Sequence, residues 1–406
     1  MVFFFFLQDD DNINAKVLSG NKGEWSELYA FFKILVDGRV YAADENYNKI
    51  ENVFLTVLSV IREEVRNSVY RYLPGETIVI KLNGQEVGRI PCSEFETNMN
   101  NLWNQIIASK GKSSFTVTEI EDFLSKIHIT KIKSPAFETS NYFGGTIDIM
   151  LETRNIDNIV RETGFSGKSE INASATLLNA SQDNTNFVFE VVGDFSDDNM
   201  NHFNGLFKEV NRRGNIEHDI ATSERMEYLH KINANLVFAK TAKPLASENL
   251  VKCGGKEMPS IIAGMLKHFY FDNLGSTTTV MDCITSIAKE DVAQYGFDSL
   301  EDIYHFKVAN FLYFAFTGMR LGSKWNGKDS VNGGYIVVKY NGEVVAYHST
   351  IANEFKEFLV HKMKMEGPSH SRHKDMVIEK IDGKYYLKLA LQLRFTITPK
   401  KEETTN

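Results

Sequence analysis

The chain reads Gly145-Thr-Ile-Asp148-Ile-Met-Leu-Glu152, then Gly164-Phe-Ser166-Gly-Lys168-Ser-Glu170, then Thr185-Asn-Phe-Val-Phe-Glu190-Val-Val192. These segments alternate in a way that is typical of strands, and the loops between them are rich in Asn, Ser and Asp. Because side chains two positions apart share a face of a strand, Ser166, Lys168 and Glu170 are predicted to point the same way. The stretch therefore predicts a sheet that carries Asp148 and a lysine on neighbouring strands.

A carboxylate and a lysine at this spacing are groups that phosphodiester hydrolysis needs. The reaction requires charge on the phosphate oxygens to be neutralised and a water molecule to be made nucleophilic. Mg²⁺ held by carboxylate oxygens does both, and a lysine beside the attacking water stabilises the hydroxide. Asp148 and Lys168 are 20 residues apart, which suits two adjacent strands and a polar loop. We therefore interpret this pair as the centre of a nuclease.

The pattern lacks one carboxylate. An acidic residue is expected two positions before the lysine, and Ser166 stands there instead. Serine alone is a poor ligand for Mg²⁺, so a second carboxylate must come from elsewhere. Glu190 on the next apolar strand and Glu170 beside Lys168 are equal candidates, and Glu27 on the first helix could bind a metal-bound water. Taken alone, the pattern also fits a surface lysine near a buried aspartate that caps a turn.

Charge is unevenly distributed along the 406 residues. The whole chain carries a formal net charge of −8, whereas residues 318–406 contain 15 Lys and Arg against 10 Asp and Glu. That region therefore carries +5 and the remainder −13. A basic C-terminal third beside an acidic remainder fits one face that meets a polyanion. Hydrophobic residues make up 43% and charged residues 24%, as in an ordinary globular protein with a sizeable core.

The cysteines and the N-terminus argue against several classes of protein. Cys92, Cys253 and Cys283 are widely spaced and form no CxxC pair, so we expect buried thiols in a reducing cytosol rather than a zinc site. The apolar run at residues 2–7 lacks a basic flank and is followed by aspartates at 9–11, which predicts a short strand rather than a signal peptide. No run approaches the length of a membrane span.

The spacing of apolar residues predicts a mixed α/β architecture, with a mixed central sheet flanked by helices. Residues 1–195 are predicted to hold an N-terminal region and the nuclease core, residues 196–317 a mainly helical insertion, and residues 318–406 a basic, β-rich DNA-recognition region. Apolar residues at three- and four-residue steps predict the first helix at 23–36. Within the insertion, helices are predicted at 199–210, 218–232, 258–271, 278–289 and 300–316. Hairpin turns are predicted at Asn83-Gly84, Asn341-Gly342 and Asp382-Gly383.

Several motifs resemble those of the HpaII-type restriction endonucleases. They occur in the expected order over most of the chain, which makes the match more specific than any single motif. The motifs are Gly23-Glu-Trp-Ser-Glu27 with Phe31-Phe32-Lys33, Val40-Tyr-Ala-Ala-Asp44-Glu45, Gly164-Phe-Ser-Gly-Lys168-Ser169, Thr176-Leu-Leu-Asn-Ala-Ser181, Thr185-Asn-Phe187, Lys324-Trp-Asn-Gly-Lys328, Gly333-Gly-Tyr-Ile-Val-Val-Lys339 and Pro368-Ser-His-Ser-Arg372-His373.

The resemblance implies Mg²⁺-dependent cleavage of double-stranded DNA at a short palindrome, which is CCGG for the namesake of the family. It also implies a restriction-endonuclease-like core of the PD-(D/E)xK type, with Asp148 and Lys168 as the catalytic pair and Mg²⁺ as the cofactor. Gly167 and Glu170 depart from the family pattern, in which an apolar and a non-acidic residue are expected. A divergent N-terminus and a somewhat greater length are further departures.

Polar loops of the basic region, and one loop after the catalytic strand, are candidates for DNA contact. Arginine and lysine bind guanine O6 and N7 or phosphate, asparagine binds adenine, and serine binds phosphate. Arg372 is the residue most expected to touch a base or its phosphate. His361, His370 and His373 match no zinc spacing. The candidate DNA contacts are Asn179, Ser181, Arg320, Lys324, Trp325, Lys328, Ser371, Arg372 and His373.

The predicted protein is a type II restriction endonuclease of the prokaryotic cytoplasm. Cutting both strands of a palindrome is easiest with two related active sites, so we expect a homodimer, at least on DNA. A cognate DNA methyltransferase is expected as its genetic partner. Two alternatives stay open. One is a PD-(D/E)xK nuclease that acts in repair or on modified bases, and the other is a DNA-binding protein with a decayed catalytic centre.

Overall fold

The computed structural model of the chain describes residues 17–44, 48–109, 113–133, 147–155, 158–169, 176–206, 222–328, 333–348 and 352–396. The side chains of Lys168 and Ser371 are not part of this description. Over these residues the protein is mixed α/β, as predicted. None of the helices in these ranges has both the length and the apolar character needed to cross a membrane. The strand predicted at residues 2–7 lies outside the described residues.

The strands are β1 (Ser19–Gly20), β2 (Arg39–Ala43), β3 (Lys49–Val65), β4 (Ser68–Leu73), β5 (Thr77–Leu82), β6 (Gln85–Pro91), β7 (Phe115–Thr116), β8 (Ile149–Arg154), β9 (Val160–Ser169), β10 (Thr176–Leu178), β11 (Asn186–Val192), β12 (Asn235–Thr241), β13 (Thr278–Thr279), β14 (Gly334–Val338), β15 (Val344–His348), β16 (Met363–Met365), β17 (Ile378–Ile381), β18 (Lys384–Ala390) and β19 (Leu393–Phe395). The α-helices are α1 (Lys22–Asp37), α2 (Cys92–Ala108), α3 (Glu121–Lys126), α4 (Asp197–Gly205), α5 (Thr222–Lys231), α6 (Pro244–Gly254), α7 (Met258–Lys267), α8 (Val280–Glu290), α9 (Glu301–Phe316), α10 (Ala352–Lys362) and α11 (His370–His373).

A nine-stranded mixed sheet contains two of the three segments between Gly145 and Val192. Its strand order is β2-β15-β14-β9-β8-β3-β4-β5-β6, with the parallel pairs β2–β15 and β9–β14. Strand β2 also pairs with β3, so the six strands from β2 to β3 close into a ring of pairings. Strands β8 and β9 are antiparallel neighbours, with Ile149 opposite Phe165. The predicted adjacency of these two strands is therefore confirmed.

Helix α1 packs against this sheet and forms the first core with it. The helix begins at a capping box, in which the Asn21 side chain accepts from the Glu24 N–H and Glu24 accepts from the Asn21 N–H. It ends at Gly38, which has a left-handed φ of 62°. Trp25 and Phe32 are fully buried among apolar side chains of the sheet. The rigid packing of α1 fixes every side chain that it points toward the strands.

A second core joins the helical region to the C-terminal strands. It includes side chains of α6 to α9 and of two four-stranded sheets, ordered β12-β11-β18-β17 and β10-β19-β16-β13. Strands β14 and β15 are buried on both faces. Tyr335 and Val337 of β14 lie in the second core, whereas Ile336 and Val338 lie in the first. The β14–β15 hairpin therefore belongs to both cores, although it lies in the region that starts at residue 318.

Candidate active site

Asp148 lies just before β8, beside strand β9. Its backbone N–H donates to the Phe165 carbonyl at 2.9 Å, so the strand pairing extends one residue beyond β8. Its Oδ2 accepts hydrogen bonds from the Gly167 N–H at 2.8 Å and from the Ser166 hydroxyl at 3.1 Å. Asp148 is 7% exposed. These bonds fix the carboxylate, so Ser166, which replaces the expected acid, has the role of orienting Asp148.

Lys168 lies two residues beyond Ser166 on β9, where it pairs in parallel register with Val337 of β14. Strand alternation predicts that Lys168 shares a face of β9 with Ser166, and that Gly167 between them faces the opposite way. The side chain of Lys168 is not described, so its approach to the carboxylate of Asp148 stays a prediction. The structure supplies the strand adjacency that this prediction requires.

Glu27 of α1 approaches Asp148 across Gly167. A Cβ placed on Gly167 would be 3.4 Å from the Cγ of Glu27 and 3.5 Å from the Cβ of Asp148. Both acidic side chains therefore border the space that a side chain at this position would occupy. Helix α1 is also tied to the end of β9, because the Ser26 hydroxyl donates to the Ser169 hydroxyl at 3.0 Å. Glu27, predicted only as an outer metal ligand, thus lies next to Asp148.

A cavity of about 10 Å³, which has room for about one water molecule, adjoins both acidic residues. It is lined by Glu27, Asp148 and Arg62 together with apolar side chains of α1, β3 and β8. Arg62 is buried and donates to Glu64 Oε1 at 2.6 Å and to the Lys131 carbonyl at 2.7 Å. The sequence patterns did not single out Arg62. The sequence feature that could have indicated Arg62 is a run of three charged residues at 62–64, near the end of an apolar strand.

Glu190 requires a correction, because the structure does not bring it to Asp148. Strand β11, which carries Glu190, pairs with β12 and β18 in a separate four-stranded sheet. Lys384 of β18 donates to Glu190 Oε2 at 2.9 Å in an exposed ion pair. This placement does not support Glu190 as a catalytic residue or metal ligand. The other candidate for the second carboxylate, Glu170, lies outside the described residues.

The acidic residues at this site fit a hard divalent cation. Mg²⁺ keeps several waters and is usually bound by only one or two protein carboxylates, which Asp148 and Glu27 can provide. Zinc takes three or four protein ligands, often Cys or His. Across the ranges that the structure describes, no group of three or more His, Cys, Asp or Glu side chains is placed to hold a metal ion. The two carboxylates are therefore the kind of oxygen donor that Mg²⁺ takes.

Three loops with predicted DNA contacts meet in the structure. We name them the three-loop surface, which consists of residues 179–185, 318–328 and 368–374. Gln182 donates from its backbone N–H to His373 Nδ1 at 3.3 Å and from its side-chain amide to the Arg372 carbonyl at 3.2 Å. A Cβ on Gly322 would lie 2.8 Å from the Cγ of Asn184, so the second loop packs against the first. The loops therefore form one continuous surface.

The predicted DNA contacts differ in their availability on this surface. Asn179, Lys324, Lys328 and Arg372 are exposed. Trp325 requires a correction, because it is 6% exposed, packs against core aromatics, and donates its indole N–H to the Lys328 carbonyl at 2.9 Å. A ring held in this way cannot stack on DNA.

Arg320 and Ser181 have partners within the protein. One terminal nitrogen of Arg320, Nη1, donates to the Ala315 carbonyl at 2.8 Å and to the Met319 carbonyl at 3.1 Å, so it caps the end of α9. The Ser181 hydroxyl accepts from the Asn184 side chain at 3.3 Å within its own loop. The side chain of Ser371 is not described. Arg320 and Ser181 therefore have structural roles within the protein, although both are exposed, as Asn179 and Arg372 are.

His373 is held as a neutral ring in the three-loop surface. Burial lowers the pKa of His373 below its usual value, and the nearby charge of Asp375 opposes this change. Because Nδ1 accepts the hydrogen bond from the Gln182 N–H, we infer that the proton of the neutral ring is on Nε2. The ring can therefore donate one hydrogen bond to a DNA acceptor without adding positive charge.

Two comparisons with known proteins bear on the identity of the chain. The family model of the HpaII restriction endonuclease matches residues 21–395. Type II restriction enzyme HpaII of Haemophilus parainfluenzae is 30% identical over 384 residues, which are 94% of this chain and 99% of that enzyme. No solved structure gives a significant match. The protein is thus an enzyme, a site-specific deoxyribonuclease of the restriction type. The chain belongs to the HpaII restriction endonuclease family, as the sequence motifs predicted.

Proposed function

We propose that this restriction endonuclease hydrolyses double-stranded DNA with Mg²⁺ at a centre formed by Asp148, Glu27 and Lys168. The observation that carries the proposal is the approach of Glu27 to Asp148 across Gly167. It supplies two acidic side chains although Ser166 replaces the usual acid. The centre would then be of the PD-(D/E)xK type, with its second carboxylate provided by α1 rather than by β9.

Each residue of the proposed centre has a separate task. Asp148 and Glu27 would hold the cation, and the hydrogen bonds from Ser166 and Gly167 keep Asp148 oriented for it. When bound, the cation neutralises charge on the phosphate and makes a water molecule more acidic. Lys168 stabilises the attacking hydroxide through its positive charge, and solvent protonates the leaving 3′ oxygen.

The three-loop surface would hold the DNA. Lys324 and Lys328 are exposed in a loop that is rich in glycine. Exposed lysines in such a loop are suited to phosphate contacts. Arg372 and Asn179 carry groups that bind base edges. The net charge of +5 in residues 318–406 supports this assignment, because phosphate contacts supply most of the non-specific affinity for DNA.

The recognition sequence is proposed to be a short palindrome similar to CCGG, on the basis of the family resemblance. A palindrome presents the same half-site twice, so we propose a homodimer on DNA in which each chain cuts one strand. A DNA methyltransferase with the same specificity would protect the DNA of the prokaryotic host, and the enzyme would act in its cytoplasm.

Digestion of a sequenced genome with Mg²⁺, followed by mapping of every DNA end, tests activity, recognition sequence and stagger together. We expect discrete ends at one short palindrome. Lys168→Ala and Asp148→Asn should each slow cleavage by more than about 100-fold, because outer-shell changes alone cost about 10- to 100-fold at metal sites. Binding by Lys168→Ala should change little, since one lysine adds little to an interface with many phosphates.

Two matched variants serve as controls for these substitutions. Lys384→Ala and Glu190→Gln alter only an exposed ion pair on a different sheet, so both should cleave like the wild type. Wild-type cleavage by Lys168→Ala would place the centre elsewhere. Cleavage of methylated plasmid alone would instead indicate a modification-dependent enzyme, and DNA binding without any cleavage would indicate a decayed centre.

A further inference from the structure

The sheet of order β10-β19-β16-β13 has one apolar and one polar face. Leu178 and Leu393 of this sheet lie in the second core. Arg394 is the next residue after Leu393, so its side chain points to the opposite face. It is paired with Thr176 on one side and with Lys364 on the other. Polar side chains of three neighbouring strands therefore lie together on the face that turns away from the core.

An open pocket of about 390 Å³ lies along this polar face. The three-loop surface provides one side of it, through Asn179, Ser369 and Arg372. Three further residues provide the other side, and none of them was indicated by the sequence motifs. They are Arg394 of β19, together with Glu366, which directly follows β16, and Gln392, which directly precedes β19.

Arg394 and Glu366 form an ion pair within the pocket. The Nε of Arg394 lies 2.5 Å from Oε2 of Glu366, and the two side chains are 32% and 34% exposed. The Glu366 N–H donates to the Gln392 carbonyl at 3.2 Å, so the pairing of β16 with β19 extends to this residue. Arg394 and Glu366 are therefore diagonal neighbours on one sheet face. Their backbones are fixed by strand pairing. The two atoms that meet, Nε and Oε2, are buried, and the rest of each side chain reaches the pocket.

An arginine beside a carboxylate matches the major-groove edge of one G·C base pair. Guanine O6 and N7 accept two hydrogen bonds from one guanidinium group, and cytosine N4 donates to a carboxylate. Because Arg394 meets Glu366 through Nε, the N–H groups of its two terminal nitrogens can face guanine. A phosphate would be a poor partner for this pair, since the carboxylate would repel it. Strands can enter the major groove in this way.

We propose that Arg394 and Glu366 read one G·C base pair of the recognition sequence. The inference rests on the proposed function only in requiring that this face meets DNA. Chain connectivity supports it, because six residues separate Ser169 at the end of β9 from Thr176 at the start of β10. The two strand ends are therefore at most about 25 Å apart. That distance is about seven base pairs at about 3.4 Å each, so one short DNA site reaches both the pocket and the cleavage centre.

Binding measured with cleavage switched off tests this inference. The preferred duplex is first selected from a random pool by the Lys168→Ala protein, so the test does not depend on cleavage. Discrimination is then the ratio of the affinity for that duplex to the affinity for an unrelated one. Arg394→Ala should lower this ratio by about 5- to 150-fold, the range for one bidentate base contact. Glu366→Ala should lower it as well, and the affinity for unrelated DNA should change little in both variants.

Arg89→Ala is the matched control, because Arg89 also forms an ion pair with a glutamate on a strand, Glu86, in the β5–β6 hairpin. Its discrimination should equal that of the parent protein. Equal losses of affinity for preferred and unrelated DNA in Arg394→Ala would show a phosphate contact and overturn the inference. Unchanged discrimination would overturn it too.

A change on the DNA side gives a second readout that does not depend on how well a variant folds. 7-Deazaguanine, placed at each guanine of the preferred duplex in turn, removes the N7 acceptor. At one guanine, this replacement should weaken binding by the Lys168→Ala protein. When the protein also carries Arg394→Ala, the replacement at that guanine should not weaken binding any further. The inference would be overturned if 7-deazaguanine weakened binding by the protein with Arg394→Ala as much as by the parent protein at every guanine. A wild type that binds as expected but cuts no DNA would refute the proposed function alone.

Discussion

Gly167 is the residue across which Glu27 and Asp148 meet, so its missing side chain is part of the site. Its Cβ would have ordinary contact distances, 3.4 Å to Glu27 Cγ and 3.5 Å to Asp148 Cβ. We therefore expect Gly167→Ala to fold with a stability within about 1 kcal/mol of the wild type. The methyl group would fill the space between the acidic side chains and keep them from closing on the cation. We therefore expect the Mg²⁺ concentration for half-maximal cleavage to rise by about 10-fold.

A magnesium titration of the cleavage rate, with urea unfolding of the same samples, measures both effects of Gly167→Ala. Gly88→Ala is the control, because its Cβ would meet only Ile80, at 3.8 Å. An unchanged magnesium requirement in Gly167→Ala would show that the cation does not bind between Glu27 and Asp148.

His348, at the end of β15, makes the stability of the fold depend on pH. The residue is 4% exposed, and burial lowers its pKa to about 4, although the charge of Glu354 opposes this. The unfolded chain, in which the pKa of histidine is about 6.5, therefore binds more protons between about pH 6.5 and 4, so stability falls as the pH falls through this range. For this residue alone the loss between pH 7 and pH 5 is about 2 kcal/mol.

Urea unfolding at pH 7 and pH 5 isolates this contribution. The difference between the two unfolding free energies should be smaller by about 2 kcal/mol in His348→Gln than in the wild type. His361→Gln, which changes an exposed histidine of α10, should leave the difference as it is. An equal difference in wild type and His348→Gln would show that His348 is protonated in the folded protein at pH 5.

Among the elements, helix α1 is the one that delivers Glu27 to the sheet, and its start is stabilised by the Asn21–Glu24 capping box. Asn21→Ala removes an acceptor of a backbone N–H, which typically costs about 1 kcal/mol. We expect the unfolding free energy to fall by that amount and cleavage to weaken, since Glu27 lies in the second turn. The measurements are urea unfolding and the cleavage rate at saturating Mg²⁺.

Asn100→Ala is the control for the cap, because Asn100 lies on the exposed face of helix α2. Alanine has the higher helix propensity, so this variant should be as stable as the wild type or slightly more stable. A loss of stability in Asn100→Ala equal to that in Asn21→Ala would attribute the effect to something other than the cap.

Elements with a strong local signal were predictable from the sequence. The helix predicted at 23–36 spans Lys22–Asp37, since its apolar residues recur at helical steps and Gly38 stops it. The turn at Asn83-Gly84 links β5 to β6 as predicted, and both residues have positive φ. The helix predicted at 258–271 is α-helical only to Lys267 and continues as a π-helix. Its last turn differs because helix type depends on tertiary packing there.

Elements and site residues that depend on distant partners were not predictable in the same way. Strand β12 and helix α6 were missed, because β12 is a sheet edge whose residues are mainly exposed and lack a clean alternation. The spacing from Asp148 to Lys168 did indicate adjacent strands. Glu190 and Glu170 were equal candidates for the second carboxylate, yet the strand of Glu190 pairs elsewhere. The partnership of Glu366 with Arg394 joins two strands through a contact that no local pattern encodes.

At the scale of the whole molecule, the proposed cleavage centre and the proposed reading pocket belong to different cores. Asp148 lies on the nine-stranded sheet, and Arg394 lies on a four-stranded sheet of the second core. The hairpin β14–β15 is buried in both cores and pairs directly with β9, the strand of Lys168. The hairpin thus joins the strand of Lys168 to the second core through paired backbone.

Each chain provides one Lys168, so the proposed homodimer would bring two centres to a palindrome, one for each strand. We expect a heterodimer of one wild-type chain and one Lys168→Ala chain, isolated with two affinity tags, to cut one strand only. Supercoiled plasmid should then accumulate as nicked circles, whereas the wild-type dimer gives linear DNA.

Gel electrophoresis of a plasmid with a single site distinguishes these products. A heterodimer of wild-type and Lys384→Ala chains controls for the tags and should give linear DNA, because Lys384 pairs only with Glu190 on a distant sheet. Linear DNA formed by the Lys168→Ala heterodimer at the wild-type rate would mean that one centre cuts both strands. In that event a single chain would suffice on the palindrome, and the second copy would not be needed for double-strand cleavage.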